Sequence, residues 1–314
     1  MEYQYYTADV FTNQLFNGAH IAVFPQAKGL NNNQMQQIAR ELNLSETVFI
    51  FPQDSENNEH TKKPTPSRRL RIFSPHQEIN FAGHPIIAAG HVLATTGEIT
   101  AADQGVGLSL HQNIGAINTH VRLEKANQSF VQFSLDNISA KIDLFTPGMS
   151  ELADVLSLKE NAFKLKNFTP KIITTEQSYL IIPVHNLDAI QNAMLDYSAW
   201  SRSSAPASNV RQILLFTNKT FSAQANFHLR LMGPTIGQDV DPPVGSSIPA
   251  FVAYLNSFKT TQAGTHTFTI ERGRKETRQS MLQVEAILKE KTALKVRVGG
   301  SAISVSEAKI QVPV

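Results

Sequence analysis

Glu46 is the side chain best placed for acid–base chemistry, because it stands between the end of one apolar-patterned segment and the start of another. Leu44 precedes it, and Val48 and Phe49 follow it. A carboxylate that is partly removed from water has a raised pKa, so it can take up and release a proton near neutral pH. We therefore predict a general acid and base at Glu46, with an ordinary capping or surface role as the alternative.

Two glycine-containing turns carry the other polar groups that a small ligand would contact. Gly83 and His84 lie in the first turn, and Asp241, Gly245 and Ser246 lie in the second. A histidine in such a turn can donate a hydrogen bond to a substrate oxyanion, and an aspartate can orient a hydroxyl or amino group. The structural alternatives are a helix cap for His84 and an Asx turn for Asp241.

An apolar segment with an early proline follows each turn, at Pro85 in the first and at Pro249 in the second. Proline is tolerated in the first helical turn, so both segments are predicted to be buried helices, the first over residues 81–93. Helix starts attract anions through their amides and their dipole. We expect the two starts to face each other across a cleft that holds a small anionic ligand, although many buried helices begin this way for structural reasons alone.

The two turns belong to a longer internal repeat. Residues 70–75 read Leu-Arg-Ile-Phe-Ser-Pro, and residues 229–234 read Leu-Arg-Leu-Met-Gly-Pro. The copies are 159 residues apart, about half of the 314-residue chain, and each precedes an apolar helix. A duplicated domain is predicted, with chance similarity of short apolar strands as the alternative. We place the first half at residues 1–134 and the second at 135–314, with the last strand able to pack back on the first half.

Periodicity supplies the elements that would position these residues. It predicts a hairpin from Tyr3 to Phe24 with a turn at Asn17-Gly18, and an amphipathic helix from Met35 to about Asn43 behind the Asn31–Asn33 cluster. Strands are predicted at 47–51 and 69–73 around a polar loop at Gln53–Arg68, and further helices at 150–156 and 187–199. The remaining predicted strands lie at 130–135, 179–184, 212–216, 227–231, 266–271, 281–288, 293–298 and 302–305.

These elements predict a strand-rich α/β (α+β) fold without regular βαβ alternation. Each pseudo-symmetric half is expected to be a strongly curved, largely antiparallel sheet wrapped around one central helix.

Composition excludes several function classes. The chain has no cysteine, which excludes disulfides, thiolate zinc sites and two-thiol racemase chemistry. A net charge of +2 without a long basic run argues against a nucleic-acid partner. His84 and His91 lack the spacing of a metal motif, and no nucleotide-binding or hydrolase motif occurs. The chain begins without a signal-peptide pattern and has no apolar run of about 18 residues, so no membrane partner and a cytoplasmic location are expected.

Short motifs distributed in order over nearly the whole chain resemble the phenazine-biosynthesis PhzF family. The motifs are Asp9-Val10-Phe11-Thr12, residues 38–47, Arg71–Pro75, Phe81–Pro85, Asp241-Pro242 with Gly245-Ser246, Arg278-Gln279-Ser280 and Val298–Ala302. The resemblance implies a diaminopimelate-epimerase-like fold, usually assembled as a homodimer. Members similar to the phenazine enzyme isomerise trans-2,3-dihydro-3-hydroxyanthranilate without metal or organic cofactor, and one glutamate moves the proton between ring carbons.

On that template Glu46 is the acid and base, and the ligand is a small anionic cyclic substrate. The residues that the resemblance assigns to substrate binding are Ser45, Gly83, His84, Asp241, Gly245 and Ser246. Related epimerases use two thiols, and this chain has Ala82 and Val244 at those turns.

The sequence departs from the family pattern in the second turn. Members usually read Glu-Asp-Pro-Ala-Thr-Gly-Ser, whereas Val240, Pro243 and Val244 stand here at the first, fourth and fifth positions. The turn thereby loses a carboxylate and a hydroxyl. Gly18-Ala19-His20 replaces Gly-Asn-Pro, and Thr277-Arg278-Gln279-Ser280 replaces Gly-Arg-Pro-Ser. A non-catalytic protein that binds a small acid or a partner on the same scaffold is therefore the alternative to an isomerase.

Overall fold

The computed structural model describes residues 1–52, 65–101, 104–125, 127–143, 145–208, 210, 212–234, 236, 241–258, 263–273, 278–289 and 293–312. Most of the predicted polar loop, at residues 53–64, lies outside the described residues, as do Val240 and Thr277. None of the helices in the described ranges combines the length and hydrophobicity that crossing a bilayer requires.

The chain forms two compact units. Unit 1 comprises Met1–Leu135, Arg278–Leu282 and Arg297–Val314, and unit 2 comprises Asp136–Thr277 and Gln283–Val296. Two segments from the C-terminal part of the chain therefore belong to the unit that contains the N-terminus.

The first ten strands and helices of the chain belong to unit 1, except for the last three residues of the tenth. They are β1 (Glu2–Val10), β2 (Ala19–Phe24), α1 (Asn32–Leu42), β3 (Thr47–Pro52), β4 (Ser67–Phe73), β5 (Glu78–Ile79), α2 (Gly83–Thr95), β6 (Val106–Gln112), β7 (Gly115–Lys125) and β8 (Gln128–Ile138). The predicted hairpin and the predicted α1 are confirmed. Asn31 caps α1 reciprocally with Gln34, and Asn43 ends the helix in a left-handed conformation at φ 48°.

The following elements complete the chain. They are β9 (Lys141–Asp143), α3 (Met149–Leu156), β10 (Lys171–Thr174), β11 (Ser178–Pro183), α4 (Leu187–Asn192), α5 (Tyr197–Arg202), β12 (Gln212–Thr217), β13 (Phe227–Met232), α6 (Ile248–Asn256), β14 (Gly264–Arg272), β15 (Ser280–Lys289) and β16 (Ala293–Gln311). Short 3-10 helices form at Glu160–Phe163, Pro206–Ser208 and Gly245–Ser247.

The sheet of unit 1 closes on itself around α2. Its strands follow the order β1, β2, β3, β4, β6, β7, β8 and β16, and β16 also pairs with β1. Helix α2 contacts β1, β2, β3 and β7, and its residues from Gly83 to Ala94 are buried. From Gly83 to Ala94 the helix carries only two polar side chains, His84 and His91, as expected of a helix buried within a sheet. The predicted central helix is confirmed.

The sheet of unit 2 has the strand order β9, β10, β11, β12, β13, β14 and β15. Helix α6 contacts β10 and β11 on one face of the sheet. On the other face, Ile213 and Leu215 of β12 pack in a cluster with residues of α3, α4 and α5. The sheet of unit 2 therefore lies between a central helix and an outer helical layer.

The duplication predicted from the repeated Leu-Arg pattern extends to strand pairing. Strands β2, β3, β4 and β6 pair in the order parallel, antiparallel, parallel, and β11, β12, β13 and β14 pair in the same order. Phe73 of β4 lies opposite Thr47, and its counterpart Met232 of β13 lies opposite Ile213. The two copies thus occupy the same place in the pairing of each unit, which confirms two pseudo-symmetric halves.

The single helix predicted over 187–199 is wrong, because the chain forms α4 and α5 with separate caps. Asn186 accepts a hydrogen bond from Ala189 N–H, and Asp196 accepts one from Ala199 N–H. Arg230 Nη1 donates to the carbonyl oxygens of Ile190, Gln191 and Ala193 at 2.8, 3.1 and 2.9 Å. The guanidinium group satisfies the carbonyls at the end of α4, so the helix ends there without exposing them.

The two strands predicted at 293–298 and 302–305 form one strand, β16, which runs through Gly299 and Gly300. These glycines do not make a turn. A Cβ at Gly299 would lie 2.8 Å from Phe130 Cζ, and a Cβ at Gly300 would lie 2.4 Å from Phe11 Cδ1. Glycine is needed here because neighbouring rings approach the backbone closely.

The strands predicted at 130–135, 179–184, 212–216, 227–231, 266–271 and 281–288 are confirmed within β8, β11, β12, β13, β14 and β15, apart from single residues at some ends. Strand β4 begins at Ser67, two residues before the predicted start. No strand is predicted at the positions of β5, β6, β7, β9 and β10. Leu108, Leu110 and Gln112 form the buried side of β6.

Candidate functional site

Glu46 lies immediately before β3, at the end of the unit 1 sheet where α2 begins. Strand β1 ends at Val10 opposite the first residue of β2, and β3 runs parallel to β2. The start of β3 therefore lies at the same end of the sheet as the end of β1. The ring of Phe11, which follows β1, contacts the imidazole of His84 edge-on with 5.1 Å between centroids. Glu46 and the start of α2 thus share one end of the unit 1 sheet.

Glu46 is partly exposed, and its carboxylate accepts a solvent-exposed hydrogen bond from Ser45, with 2.7 Å between Ser45 Oγ and Glu46 Oε2. Phe49 of β3 packs in the cluster beneath α1. Since side chains alternate along a strand, Val48 lies on the opposite face of β3 from Phe49. Asn43 ends α1, so Glu46 does not cap that helix. The acid and base role of Glu46 stays a prediction.

In the first glycine turn, the side chain of Gln112 holds the peptide that precedes α2. The sequence patterns do not single out this glutamine. Gln112 is buried, accepts a hydrogen bond from Ala82 N–H and donates one to the Ala82 carbonyl, both at 3.2 Å. Ala82 itself provides no side-chain cap. Gly83 and His84 are the first residues of the helix. Both residues are buried.

The second glycine turn begins the central helix of unit 2. Gly245–Ser247 forms a 3-10 helix that leads directly into α6, and Pro249 stands in the first turn as predicted. Ser247 donates from its N–H and its hydroxyl to the carbonyl of Val244, at 3.0 and 2.7 Å. Val244 is fully buried. The substitution of valine for the hydroxyl residue of the family pattern therefore adds an apolar side chain to the core.

Tyr179 lies beside the second glycine turn, and the sequence patterns do not single it out. Its hydroxyl is hydrogen-bonded to Ser246 and its side chain is buried. Burial raises the pKa of Tyr179 to about 12, against a smaller lowering by the bond to Ser246. The phenol is therefore neutral at physiological pH and fixes the serine side chain.

Asp241 is held from one side by Arg272. The guanidinium Nε lies 3.5 Å from Asp241 Oδ2, and its Nη2 donates to the Asp241 carbonyl. The other carboxylate oxygen, Oδ1, is buried and has no hydrogen-bond partner among the described residues. A buried acceptor without a partner destabilises the folded chain unless a ligand or water supplies the donor. Asp241 can therefore accept a hydrogen bond from a hydroxyl or amino group.

A buried ion-pair cluster at Asp9 fixes the turn between β1 and β2. Asp9 Oδ1 lies 2.7 Å from His20 Nδ1 and 2.7 Å from Arg278 Nη1, and Oδ2 accepts from Phe16 N–H at 2.7 Å. Burial alone would raise the pKa of Asp9, but the bonds from His20 and Arg278 outweigh it and lower the pKa. His20, one of the departures from the family pattern, thus serves this cluster. The sequence patterns do not predict this cluster, because Arg278 is 269 residues from Asp9 along the chain.

The structure therefore places Ser45, Glu46, Gly83 and His84 in unit 1, and Asp241, Gly245 and Ser246 in unit 2. Within unit 1 it joins Ser45 to Glu46 directly. Within unit 2 it adds Tyr179 and Arg272 as residues that hold Ser246 and Asp241.

A duplicated, strand-rich unit around a central helix defines the diaminopimelate-epimerase-like class of fold. The chain belongs to the family of phenazine biosynthesis-like proteins, whose model matches residues 8–308. It is similar to an uncharacterized isomerase of Mesorhizobium japonicum, with 30% identity over 309 residues that cover 98% of each chain.

Solved structures support the fold. A PhzF-family phenazine biosynthesis protein of Bacillus anthracis superposes with a TM-score of 0.80 at 19% identity, over 99% of each chain. A predicted epimerase of Pseudomonas aeruginosa superposes with a TM-score of 0.74 at 23% identity, over 98% of this chain and 99% of the other. At these identities the comparison establishes the architecture.

Proposed function

We propose that this protein is a cofactor-independent isomerase that moves a proton within a small cyclic hydroxy or amino acid. The Glu46 carboxylate, bonded to Ser45 at the end of the sheet where α2 begins, is the observation that carries the proposal. The isomerase name of the Mesorhizobium japonicum relative supports the reaction class. The resemblance to phenazine enzymes makes trans-2,3-dihydro-3-hydroxyanthranilate the first substrate to test.

The reaction requires one group that both removes and returns a proton. The Glu46 carboxylate takes the proton as a C–H bond of the substrate ring breaks, and the electron pair of that bond shifts into the conjugated ring system. The same carboxyl group then gives the proton to a second ring carbon, where a new C–H bond forms. No electron is gained or lost overall.

The remaining predicted residues hold the substrate. Gly83 and His84 suit a substrate carboxylate, because they stand at the start of α2, where the helix dipole favours an anion. The unpartnered Oδ1 of Asp241 suits an amino or hydroxyl group. Gly245 and Ser246 begin the second central helix and complete the proposed set.

Solvent-deuterium incorporation tests the role of Glu46. With trans-2,3-dihydro-3-hydroxyanthranilate in D₂O, the wild-type protein is expected to isomerise the substrate and to label it at the reacting carbon. Glu46→Gln is expected to keep the melting temperature and ligand affinity but to lose at least about 100-fold in exchange rate, because an amide cannot carry the proton. Glu41→Gln, at an exposed position of α1, serves as the matched control. Exchange retained in Glu46→Gln contradicts the proposal.

A second candidate is a protein that binds a small acid without catalysis, and the altered second turn favours it. Val244 is buried where the family pattern has a hydroxyl, and Pro243 adjoins it. Cyclic hydroxy and amino acids that raise the melting temperature of the wild-type protein without any deuterium uptake support this candidate against the isomerase.

A further inference from the structure

Gln212 of unit 2 occupies the position that Glu46 occupies in unit 1. In the repeat, Phe73 corresponds to Met232. Phe73 lies opposite Thr47, and Met232 lies opposite Ile213. The residues that come immediately before these partners, Glu46 and Gln212, are therefore equivalent by strand register and not only by chain position.

Gln212 lies on the face of the sheet that packs against the central helix of its unit. Phe216, four residues later on β12, contacts the rings of Phe251 and Tyr254 in α6 at 5.1 and 5.3 Å between centroids. The intervening Ile213 and Leu215 belong to the outer cluster. Because side chains alternate along a strand, Gln212 shares the α6 face with Phe216.

The neighbouring strand places Gln212 at the level of the second glycine turn. Strands β11 and β12 are parallel, and Tyr179 is the register partner of Gln212. Register partners project to the same face of a sheet. The Tyr179 hydroxyl is hydrogen-bonded to Ser246, so the tyrosine spans from the level of Gln212 to the start of the helical segment. Gln212 therefore stands beside the binding residues proposed for unit 2.

The amide oxygen of Gln212 is buried and has no hydrogen-bond partner among the described residues. A buried acceptor without a partner destabilises the folded chain, so a purely structural residue at this position would be better apolar. An amide also neither takes nor releases a proton at physiological pH. The position can therefore hold a donor of a ligand but cannot perform the proton transfer assigned to Glu46.

We infer that Gln212 is a specificity-determining residue, whose Oε1 accepts a hydrogen bond from a ring hydroxyl or amino group of the ligand. The inference rests on the ligand class of the proposed function but not on the proton transfer. The two equivalent positions of the duplicated fold then differ in role: Glu46 carries a carboxylate that can transfer a proton, and Gln212 carries an amide that can recognise a ligand donor.

Three carboxylates that differ only in their ring donors test this inference by calorimetric titration: benzoate, anthranilate and 3-hydroxyanthranilate. The wild-type protein is expected to bind 3-hydroxyanthranilate more tightly than benzoate. Gln212→Met keeps the length of the side chain and removes the acceptor. It is expected to weaken 3-hydroxyanthranilate binding about 10-fold while changing benzoate binding less than about twofold. Gln177→Met, at an exposed position in the turn between β10 and β11, is the matched control and is expected to bind all three as wild type does.

The melting temperature of Gln212→Met supplies the second readout. Loss of an unsatisfied acceptor is expected to leave it unchanged or to raise it. A large fall in melting temperature, an equal loss of affinity for benzoate and 3-hydroxyanthranilate, an unchanged preference, or failure of the wild-type protein to bind any of the three overturns the inference. If Gln212→Met loses the preference for 3-hydroxyanthranilate over benzoate and the wild-type protein shows no deuterium exchange, the isomerase is refuted but the role of Gln212 in ligand recognition is supported.

Discussion

At the scale of single residues, His91 shows how the fold sets a protonation state. It is fully buried in α2, and its ring nitrogens lie 2.8 Å from Ser129 Oγ and 2.9 Å from Ser304 Oγ. Burial lowers the pKa of His91 to about 4, so the imidazole is neutral at physiological pH. In the unfolded chain an imidazole titrates near about 6.5. The unfolded chain therefore binds the proton more tightly, and the free energy of unfolding falls as the pH drops from about 6.5 towards 4.

Replacing His91 by glutamine is expected to remove this pH dependence, because an amide bonds to both serines without titrating. Between pH 7 and pH 4.5 the wild-type protein should lose about 2 kcal/mol more free energy of unfolding than His91→Gln. Urea unfolding at the two pH values measures the difference. Equal losses in the two proteins would show that His91 does not contribute to acid sensitivity.

At the scale of elements, β16 combines a structural role with the support of the candidate site. Gly300 lets the ring of Phe11 lie against the strand, and that ring contacts the imidazole of His84. Phe11 adopts a left-handed conformation at φ 61° and its carbonyl accepts from Met281 N–H at 2.8 Å. The position of His84 at the start of α2 therefore depends on the glycine in β16.

Gly300→Ala is expected to lower the free energy of unfolding by about 1–3 kcal/mol, because the added Cβ would lie 2.4 Å from Phe11 Cδ1. Gly107→Ala in β6 is the control, because a Cβ at Gly107 would have no neighbour within 4 Å among the described residues. Its effect is expected within about 0.5 kcal/mol. Equal effects of the two substitutions in urea unfolding would show that Phe11 moves aside at little cost.

At the scale of the whole molecule, three strands contain residues of both units: β8, which passes from unit 1 into unit 2 after Leu135, and β15 and β16. Residues 280–282 of β15 belong to unit 1 and its later residues to unit 2, whereas β16 begins in unit 2 and continues in unit 1 from Arg297. Because each strand is one continuous segment, unfolding of either unit removes the anchor of a strand in the other. We expect the chain to unfold in one cooperative step despite its two units.

Trp200, the chain's single tryptophan, is buried in α5 and reports on unit 2. Its fluorescence and the far-ultraviolet circular dichroism of the whole chain are expected to give coincident urea transitions. The unit 1 variant Gly300→Ala should shift both transitions together. A fluorescence transition that stays in place while the dichroism shifts would show that the units unfold independently.

Local signals in the sequence were sufficient for the elements with strong patterns. The asparagine cap predicted the start of α1, and the strongly apolar segment after Gly83 predicted a buried helix. The repeated Leu-Arg pattern predicted the duplication, and both copies lie at the same place in the strand pairing of their sheets. Strands β6 and β7 were not predicted. The break between α4 and α5 depends on Arg230, which is distant along the chain.

By itself, the sequence determined the absence of thiol chemistry, the duplicated α/β architecture and the choice of Glu46 as the candidate acid and base. Those conclusions depend on residue type and local periodicity, which the chain carries in every conformation. Only the tertiary structure decided which distant residues support the candidates: Gln112 beside Ala82, Tyr179 beside Ser246 and Arg278 beside Asp9. Such contacts join segments far apart in the chain, and they form only when strand pairing has fixed the register.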